Sequence, residues 1–118
     1  MNTRGARNED SIADRNRMVE RQIARRGVTD ALVLDAVRNV PREAFLPEDL
    51  REFAYDDSPL PIEEGQTISQ PYIVALMTDL MDPKATDVVL EVGTGSGYQA
   101  AVLAELVAKV YTIEIIEP

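Results

Sequence analysis

Apolar residues recur at helical spacing near the start of the chain. Ile12, Val19 and Ile23 fall near one face of a helix that this pattern predicts from about Ser11 to Arg26. Arg and Glu residues cover the opposite face of this helix. Gly27 is a natural end for it, because glycine readily adopts the left-handed conformation that closes many helices.

A second apolar stripe predicts another helix. Thr29 is expected to be its N-cap, and Pro41 ends it. The proline-rich stretch after Pro41 indicates loop, with a short helix near Glu48–Phe53 and extended pieces around Tyr55 and Leu60. The stripe, which repeats at the spacing of an amphipathic helix, consists of Leu32, Val33, Ala36, Val37 and Val40.

A third helix is predicted in the middle of the chain. Ser69 or Gln70 is expected to cap it, since Pro71 suits the first helical turn. Asp82 and Pro83 close it. Its expected buried face consists of Ile73, Leu76, Met77 and Leu80.

The pattern then changes from helical spacing to short apolar runs. The run from Asp87 to Val92 is rich in β-branched residues and suits a strand buried on both faces of a parallel sheet. The glycine-rich turn Gly93–Gly97, a helix from Tyr98 to about Ala108 and a second strand, Val110–Ile113, follow. Strand, turn, helix and strand form a βαβ unit, which places the chain in the α/β class.

Composition limits the chemistry that the chain can perform. Cysteine and histidine are absent, so disulfides, thiolate catalysis and imidazole bases are excluded, and no metal site is predicted. The net charge is -9, although residues 1–26 hold seven Arg against four acids. The rest of the chain is therefore strongly acidic, which argues against a nucleic-acid partner. No apolar run approaches the ~20 residues that span a bilayer, and the polar start lacks a secretory signal. The expected location is the cytoplasm, without a membrane partner.

The glycine turn is the main candidate for a ligand site. Glycines between a strand and a helix let a ligand approach backbone N–H groups, and they permit positive φ. Gly93, Gly95 and Gly97 give G-x-G-x-G, whereas the dinucleotide pattern G-x-G-x-x-G would need its third glycine at Tyr98. An acid two residues before this loop, Glu91, completes a pattern typical of S-adenosylmethionine-dependent methyltransferases.

Two acids flank this turn. Glu114 follows the second strand, 21 positions after Gly93, at the edge of the sheet where open α/β folds bind ligands. The sequence favours a role for Glu114 in accepting hydrogen bonds from a ribose diol over that of an ordinary charged strand end. For Glu91 two interpretations stay open: a cofactor contact, or a partly buried carboxylate that orders the loop.

Three segments together resemble the protein-L-isoaspartate O-methyltransferase family. They are Val40–Pro47, the stretch from Ala54 to Pro71 that contains Thr-Ile-Ser-Gln-Pro, and Val89–Gln99. The third alone would indicate only a generic methyltransferase, whereas the Thr-Ile-Ser-x-Pro segment is more specific. The resemblance runs from about Met18 to the last residue.

The resemblance implies a fold, an activity and a set of residues. The fold would be a Rossmann-like class I methyltransferase, and the reaction would be methyl transfer from S-adenosyl-L-methionine to the α-carboxylate of isoaspartyl residues in damaged proteins and peptides. Ser69 matches the family's active-site serine, which we expect to position the substrate carboxylate by hydrogen bonding; the competing interpretation is that it only caps the third helix. We expect the full-length protein to be a monomer. The positions expected to bind the cofactor are Thr67, Ile68, Gln70, Glu91, Val92, Gly93, Thr94, Gly95, Ser96, Gly97 and Glu114.

These patterns divide the chain into three parts. Residues 1–10 are an expected disordered tail, residues 11–83 a helical and loop region that carries the Thr-Ile-Ser-x-Pro segment, and residues 84–118 the start of the cofactor-binding domain. Members of the family need on the order of 200 residues for their sheet. We therefore expect the chain to be a fragment, inactive and marginally stable alone.

Three alternative functions stay open from the sequence. The first is another small class I methyltransferase, acting on a metabolite or RNA. The second is an NAD-dependent oxidoreductase, which the residue at Tyr98 disfavours. The third is a binding module that keeps the cofactor loop without catalysis.

Overall fold

The computed structural model of the chain describes residues 3–62 and 66–114, with side chains from Ser11 onward. Helices, short 3-10 turns and one small hairpin make up the first two-thirds, and a βαβ unit makes up the last third. Gly65, which belongs to the second segment of the family resemblance, and Ile115–Pro118, the end of the predicted cofactor-binding domain, lie outside the described residues. Within the described ranges, none of the helices combines the length and the apolar character that crossing a bilayer requires.

The N-terminal helix changes its geometry along its length. Helix α1 (Thr3–Met18) continues into a π-helical segment, Val19–Ile23, and then into a 3-10 turn, Ala24–Arg26. The predicted stop is confirmed, since Gly27 has a φ of 105° in the left-handed region. The backbone of residues 3–10 is helical, which differs from the expected disordered tail, because adding residues to an existing helix costs far less than starting one.

Helix α2 (Ala31–Asn39) begins one residue later than expected. The predicted cap Thr29 is wrong: the Asp30 side chain accepts hydrogen bonds from Leu32 N at 2.8 Å and Val33 N at 3.3 Å. Leu32 leaves the predicted stripe, since it lies in the first turn with its side chain exposed. The buried residues of this face are Val33, Leu34, Ala36, Val37 and, just after the helix, Val40.

The proline-rich stretch folds as two 3-10 turns, Arg42–Phe45 and Glu48–Phe53, before a small hairpin. The second turn confirms the predicted short helix. Tyr55 was expected to be extended, and this is wrong, because the next residue's N–H bonds back to Phe53 O at 3.1 Å and closes a turn. Strand β1 (Leu60–Pro61) confirms the extended piece at Leu60, and it pairs antiparallel with β2 (Thr67–Ile68).

Helix α3 (Pro71–Met81) begins and ends where predicted. Gln70 is its N-cap residue and Pro71 is its first helical residue, while Asp82 closes it with a φ of 50°. The predicted buried face is wrong, because α3 packs against α2 and the π-helical segment through a different face. The buried residues are Pro71, Val74, Ala75 and Thr78. Of the predicted set, Leu76 is half-buried, and the exposed members are Ile73, Met77 and Leu80.

The last third of the described chain confirms the βαβ prediction. Strands β3 (Val88–Val92) and β4 (Lys109–Ile113) are parallel, with Val88 opposite Lys109 and Val92 opposite Ile113. Helix α4 (Tyr98–Ala104) connects them and ends four residues before the predicted Ala108, where turns lead into β4.

Strand β3 is not buried on both faces as expected. Val88, Leu90 and Val92 lie on one face and are 59–70% exposed, whereas Val89 and Glu91 lie on the other face and are half-buried. The cause is that, within the described residues, only one face of this two-stranded sheet is covered. The main core therefore lies among the helices, and its most completely buried apolar residues include Val19, Ile23, Val28, Ala75 and Val102.

Candidate functional site

The glycine loop between β3 and α4 is shaped by positive φ angles. Gly93, Gly95 and Gly97 have φ values of 86°, 55° and 87°, where side chains with a Cβ are strained. Gly93 N donates to Ile113 O at 2.7 Å, which fixes the loop to the end of β4. A Cβ built at Gly93 or Gly95 meets no described atom within 4 Å, whereas one at Gly97 lies 3.8 Å from the Phe45 ring. The first two glycines therefore border open space.

Two carboxylates lie beside this loop at the ends of the strands. The Thr112 hydroxyl donates to Glu91 Oε1 at 2.9 Å and lies 2.6 Å from the Thr94 hydroxyl, which must then be the donor in that contact. Gly95 N donates to Glu114 Oε2 at 3.0 Å. The structure thus brings together the predicted residues of the loop and both predicted acids. Thr112, which links Glu91 to Thr94, was missed by sequence reasoning.

The segment that carries Ser69 is held between buried neighbours. Ile68 in β2 is 3% exposed and Pro71 at the start of α3 is buried, whereas Ser69 itself is exposed. The N-cap position of α3 falls on Gln70, and no side chain supplies a cap hydrogen bond there. Capping of α3 by Ser69 therefore finds no support in the structure.

The segment that carries Ser69 and the glycine loop are not joined by hydrogen bonds between described residues. Between described residues, the bonds of the segment from Thr67 to Gln70 do not reach the loop from Val92 to Gly97. The segment Val40–Pro47 instead packs against Tyr98, the first residue of the helix that follows the loop. The Phe45 ring meets the Tyr98 ring edge-on at 5.7 Å between centroids, and Arg42 Cζ lies 5.1 Å from the same ring centre.

Arg42 is the most unusual charged residue near the loop. Its side chain is fully buried, and its three guanidinium nitrogens have no hydrogen-bond partner among residues 3–62 and 66–114. Burial lowers the pKa of Arg42, while the contact with Tyr98 opposes that shift. Burial raises the pKa of Tyr98 to about 12, against the opposing charge of Arg42. The ring face of Tyr98 thus stabilises a cation that water cannot reach.

A second polar cluster ties the N-terminal helical region to the proline-rich stretch. Tyr55 donates to a Glu43 carboxylate oxygen and accepts from Arg15 Nη1 at 3.1 Å, while Gln22 Nε2 donates to Tyr55 O at 2.6 Å. Arg15 Nη1 also lies 3.7 Å from Glu43 Oε1. Burial, assisted by the bond to Glu43, raises the pKa of the Tyr55 hydroxyl. Sequence spacing offered no signal for these contacts between distant residues.

A third cluster, centred on Asp57, reaches the Ser69 segment. The Asp57 carboxylate accepts hydrogen bonds from Arg26 and from Gln70 Nε2, and Arg26 Cζ lies 5.1 Å from the Tyr72 ring centre. Asp56 and Asp57 are evident as an acidic pair in the sequence of the proline-rich stretch, but the partners of Asp57 could not be predicted from it.

The geometry fits a cofactor that needs backbone donors and acids at the ends of parallel strands. Positive-φ glycines bordering open space and the acids Glu91 and Glu114 are arranged at the carboxyl ends of β3 and β4. In open α/β sheets this edge is where ligands bind. Tyr98 is 1% exposed against Phe45, so a buried ring replaces the third glycine of a dinucleotide loop. The βαβ unit fits a Rossmann-like class I methyltransferase fold, and its loop lacks the third glycine of a dinucleotide-binding loop.

Comparisons with known proteins agree with this geometry. A family model for protein-L-isoaspartate(D-aspartate) O-methyltransferase matches residues 13–118. The protein-L-isoaspartate O-methyltransferase of Opitutus terrae is 62% identical over 105 residues, covering 89% of this chain and 45% of that protein. The corresponding protein 2 of Pelobacter propionicus is 52% identical over 117 residues, covering 99% of this chain and 51% of its own length.

Solved structures give the same result at the level of the fold. A protein-L-isoaspartate O-methyltransferase superposes with a TM-score of 0.77 at 31% identity, covering 87% of this chain and 34% of that one. A Plasmodium falciparum protein described as a beta-aspartate methyltransferase, in complex with S-adenosyl-L-homocysteine, gives 0.72 at 27% identity, covering 87% and 50%. The chain belongs to the protein-L-isoaspartate(D-aspartate) O-methyltransferase family. It spans about half the length of the curated relatives it matches.

Proposed function

We propose that the whole protein carrying this sequence transfers a methyl group from S-adenosyl-L-methionine to the α-carboxylate of L-isoaspartyl residues in damaged proteins and peptides. The observation that carries the proposal is the glycine loop, which opens onto free space beside two carboxylates in a chain of this family. The proposed partners are isoaspartyl-containing proteins and peptides.

The cofactor site is proposed at the carboxyl ends of β3 and β4. A Cβ at Gly93 or Gly95 would project into the open space there, so these positions let a ligand approach the backbone. Glu114 is suited to accept hydrogen bonds from ribose hydroxyls, and Glu91 orders the loop through Thr112. When bound, the sulfonium of the cofactor supplies a methyl group that is already strongly electrophilic. The remaining proposed contacts are Thr67, Ile68, Gln70, Val92, Thr94, Ser96 and Gly97.

The chain's own residues have little proton transfer to perform. A substrate carboxylate with a reference pKa near ~4 is already ionised at pH 7, so a protein without histidine is equipped for this reaction. We assign Ser69 the task of holding that carboxylate by a hydrogen bond, since Ser69 is exposed while Ile68 beside it is buried. Alignment of the reacting groups and exclusion of water are then the main catalytic contributions.

A radiolabelled methyl-transfer assay with S-adenosyl-L-methionine and an isoaspartyl peptide tests the proposed reaction. We expect label transfer by the whole protein and none by the 118-residue chain, because the chain spans about half of its relatives. Absence of transfer by a folded whole protein would contradict the proposal. Cofactor binding without transfer would favour the binding-module alternative, and transfer only to a metabolite or RNA would favour another class I methyltransferase.

The role of Ser69 is tested by Ser69→Ala in the whole protein. We expect the variant to bind S-adenosyl-L-methionine with unchanged affinity and to methylate the peptide poorly, because only the substrate contact is lost. Ser11→Ala, a change of the same chemistry on α1, is the control and should keep full turnover. Unchanged turnover in Ser69→Ala would remove Ser69 from the catalytic site. The cytoplasmic location and the monomeric state of the whole protein remain predictions from the sequence.

A further inference from the structure

One carboxylate joins three parts of the chain next to Ser69. Asp57 Oδ1 accepts from Gln70 Nε2 at 3.0 Å and from Arg26 Nη1 at 3.2 Å, and its other oxygen accepts from Arg26 Nη2. Arg26 ends the N-terminal helical segment, and its guanidinium also lies over the Tyr72 ring in the first turn of α3. The two-pronged contact of an arginine with a carboxylate fixes direction as well as distance.

The contact to Gln70 acts on the backbone that carries Ser69. Gln70 is the N-cap residue of α3, and its carbonyl accepts from Ile73 N at 3.0 Å and Val74 N at 3.3 Å. Its main chain is therefore fixed by the helix while its side chain is fixed by Asp57. On the other side of Ser69, Ile68 is buried in β2. Ser69 is thus an exposed residue whose neighbours are both anchored.

We propose that Asp57 is a positioning residue for the proposed methyl transfer, holding Gln70 so that the Ser69 hydroxyl keeps its orientation. This inference rests on the proposed function of Ser69. Asp57 is not assigned any contact with substrate or cofactor. It acts through Gln70, and Arg26 holds its carboxylate in place.

The exposure of the cluster separates a positioning role from a stabilising one. The Arg26 and Asp57 side chains are 40% and 35% exposed, and ion pairs this exposed to water add little to stability. Loss of Asp57 should therefore change the melting temperature little. Misplacement of a reacting group by about 1 Å can cost on the order of a hundredfold in rate, so a loosened Ser69 should lower kcat measurably.

The test compares variants of the whole protein in the methyl-transfer assay. We expect Asp57→Ala to lower kcat about tenfold with little change in melting temperature. Asp57→Asn keeps an oxygen that accepts from Gln70, so it should retain most of the kcat. Asp56→Ala removes the same charge from the neighbouring exposed residue and is the control, with kcat unchanged.

A second measurement reads the tether without relying on activity. The side-chain amide protons of Gln70, followed by NMR, should shift in Asp57→Ala and stay in place in Asp56→Ala. Unshifted protons in Asp57→Ala, or shifted protons with an unchanged kcat, would overturn the positioning role. An equal loss of kcat in Asp57→Asn and Asp57→Ala would also overturn it, because the Gln70 contact would then not be what matters. If the wild-type protein is inactive although the Gln70 amide protons shift in Asp57→Ala, the proposed function is refuted. The positioning role then fails with it, because there is no methyl transfer for Asp57 to assist.

Discussion

Substituting Gly93 with alanine separates the backbone requirement of the loop from its role toward a ligand. Gly93 has a φ of 86°, and an added Cβ meets no described atom within 4 Å. The cost to the fold is then that of placing an L-residue in the left-handed region, about 1–2 kcal/mol, without a steric contribution from the described residues. That cost is a noticeable fraction of a typical unfolding free energy of about 5–15 kcal/mol.

Gly27→Ala is a matched control for this substitution. Gly27 has a φ of 105° and also has no described atom within 4 Å of an added Cβ, but it ends the N-terminal helical segment away from the loop. Both variants of the whole protein should lose a similar free energy of unfolding in urea. Only Gly93→Ala should weaken S-adenosyl-L-methionine binding in a calorimetric titration, by at least about tenfold, which is 1.4 kcal/mol. Equal affinities in the two variants would refute the idea that the glycine admits a ligand to the backbone.

The remaining predictions concern stability. Asp30→Ala should lower the urea-derived unfolding free energy by about 1 kcal/mol because α2 loses its cap. Thr29→Ala should change it by less than about 0.5 kcal/mol. A larger loss in Thr29→Ala than in Asp30→Ala would restore Thr29 as the cap. Well below pH 10, Tyr98 is protonated in both the folded and the unfolded protein. Its pKa is about 12 in the folded protein, so between pH 10 and pH 12 only the unfolded protein loses this proton. The free energy of unfolding therefore falls over that range. This component amounts to at most about 2.7 kcal/mol and should vanish in Tyr98→Phe, so an identical alkaline loss in that variant would contradict the assignment.

The parts of the fold that could be predicted are those fixed by local sequence. The βαβ unit is one of them, because β-branched runs and a glycine turn determine their own conformation over a few residues. The start of α3 is another, since Pro71 can occupy the first helical turn but not the interior of a helix. Thr29 and Asp30 are both residue types that cap helices well. Which of them is the cap depends on where the backbone of α2 begins, and composition does not determine that position.

The parts that could not be predicted depend on packing between distant residues. Helix α3 is apolar on more than one side, so periodicity could not choose between the face of Ile73 and Met77 and that of Val74 and Ala75. The bonds from Asp57 to Arg26 and Gln70 span 31 and 13 positions. Sequence spacing predicted that the loop and the two acids lie together at the ends of the strands. The clusters of polar side chains around the site follow only from the tertiary structure.

The uncovered sheet face has a consequence for how the 118-residue chain behaves in solution. Leu90 lies opposite Tyr111 and Val92 opposite Ile113, so the exposed apolar side chains of the two strands form one continuous surface. The chain also carries a net charge of -9, and copies repel one another while that charge is unscreened. Dissolved ions shorten the range of this repulsion to about 10 Å at 0.1 M, but they leave apolar attraction in place. Raising the ionic strength should therefore drive the chain from separate molecules toward colloidal association through this surface.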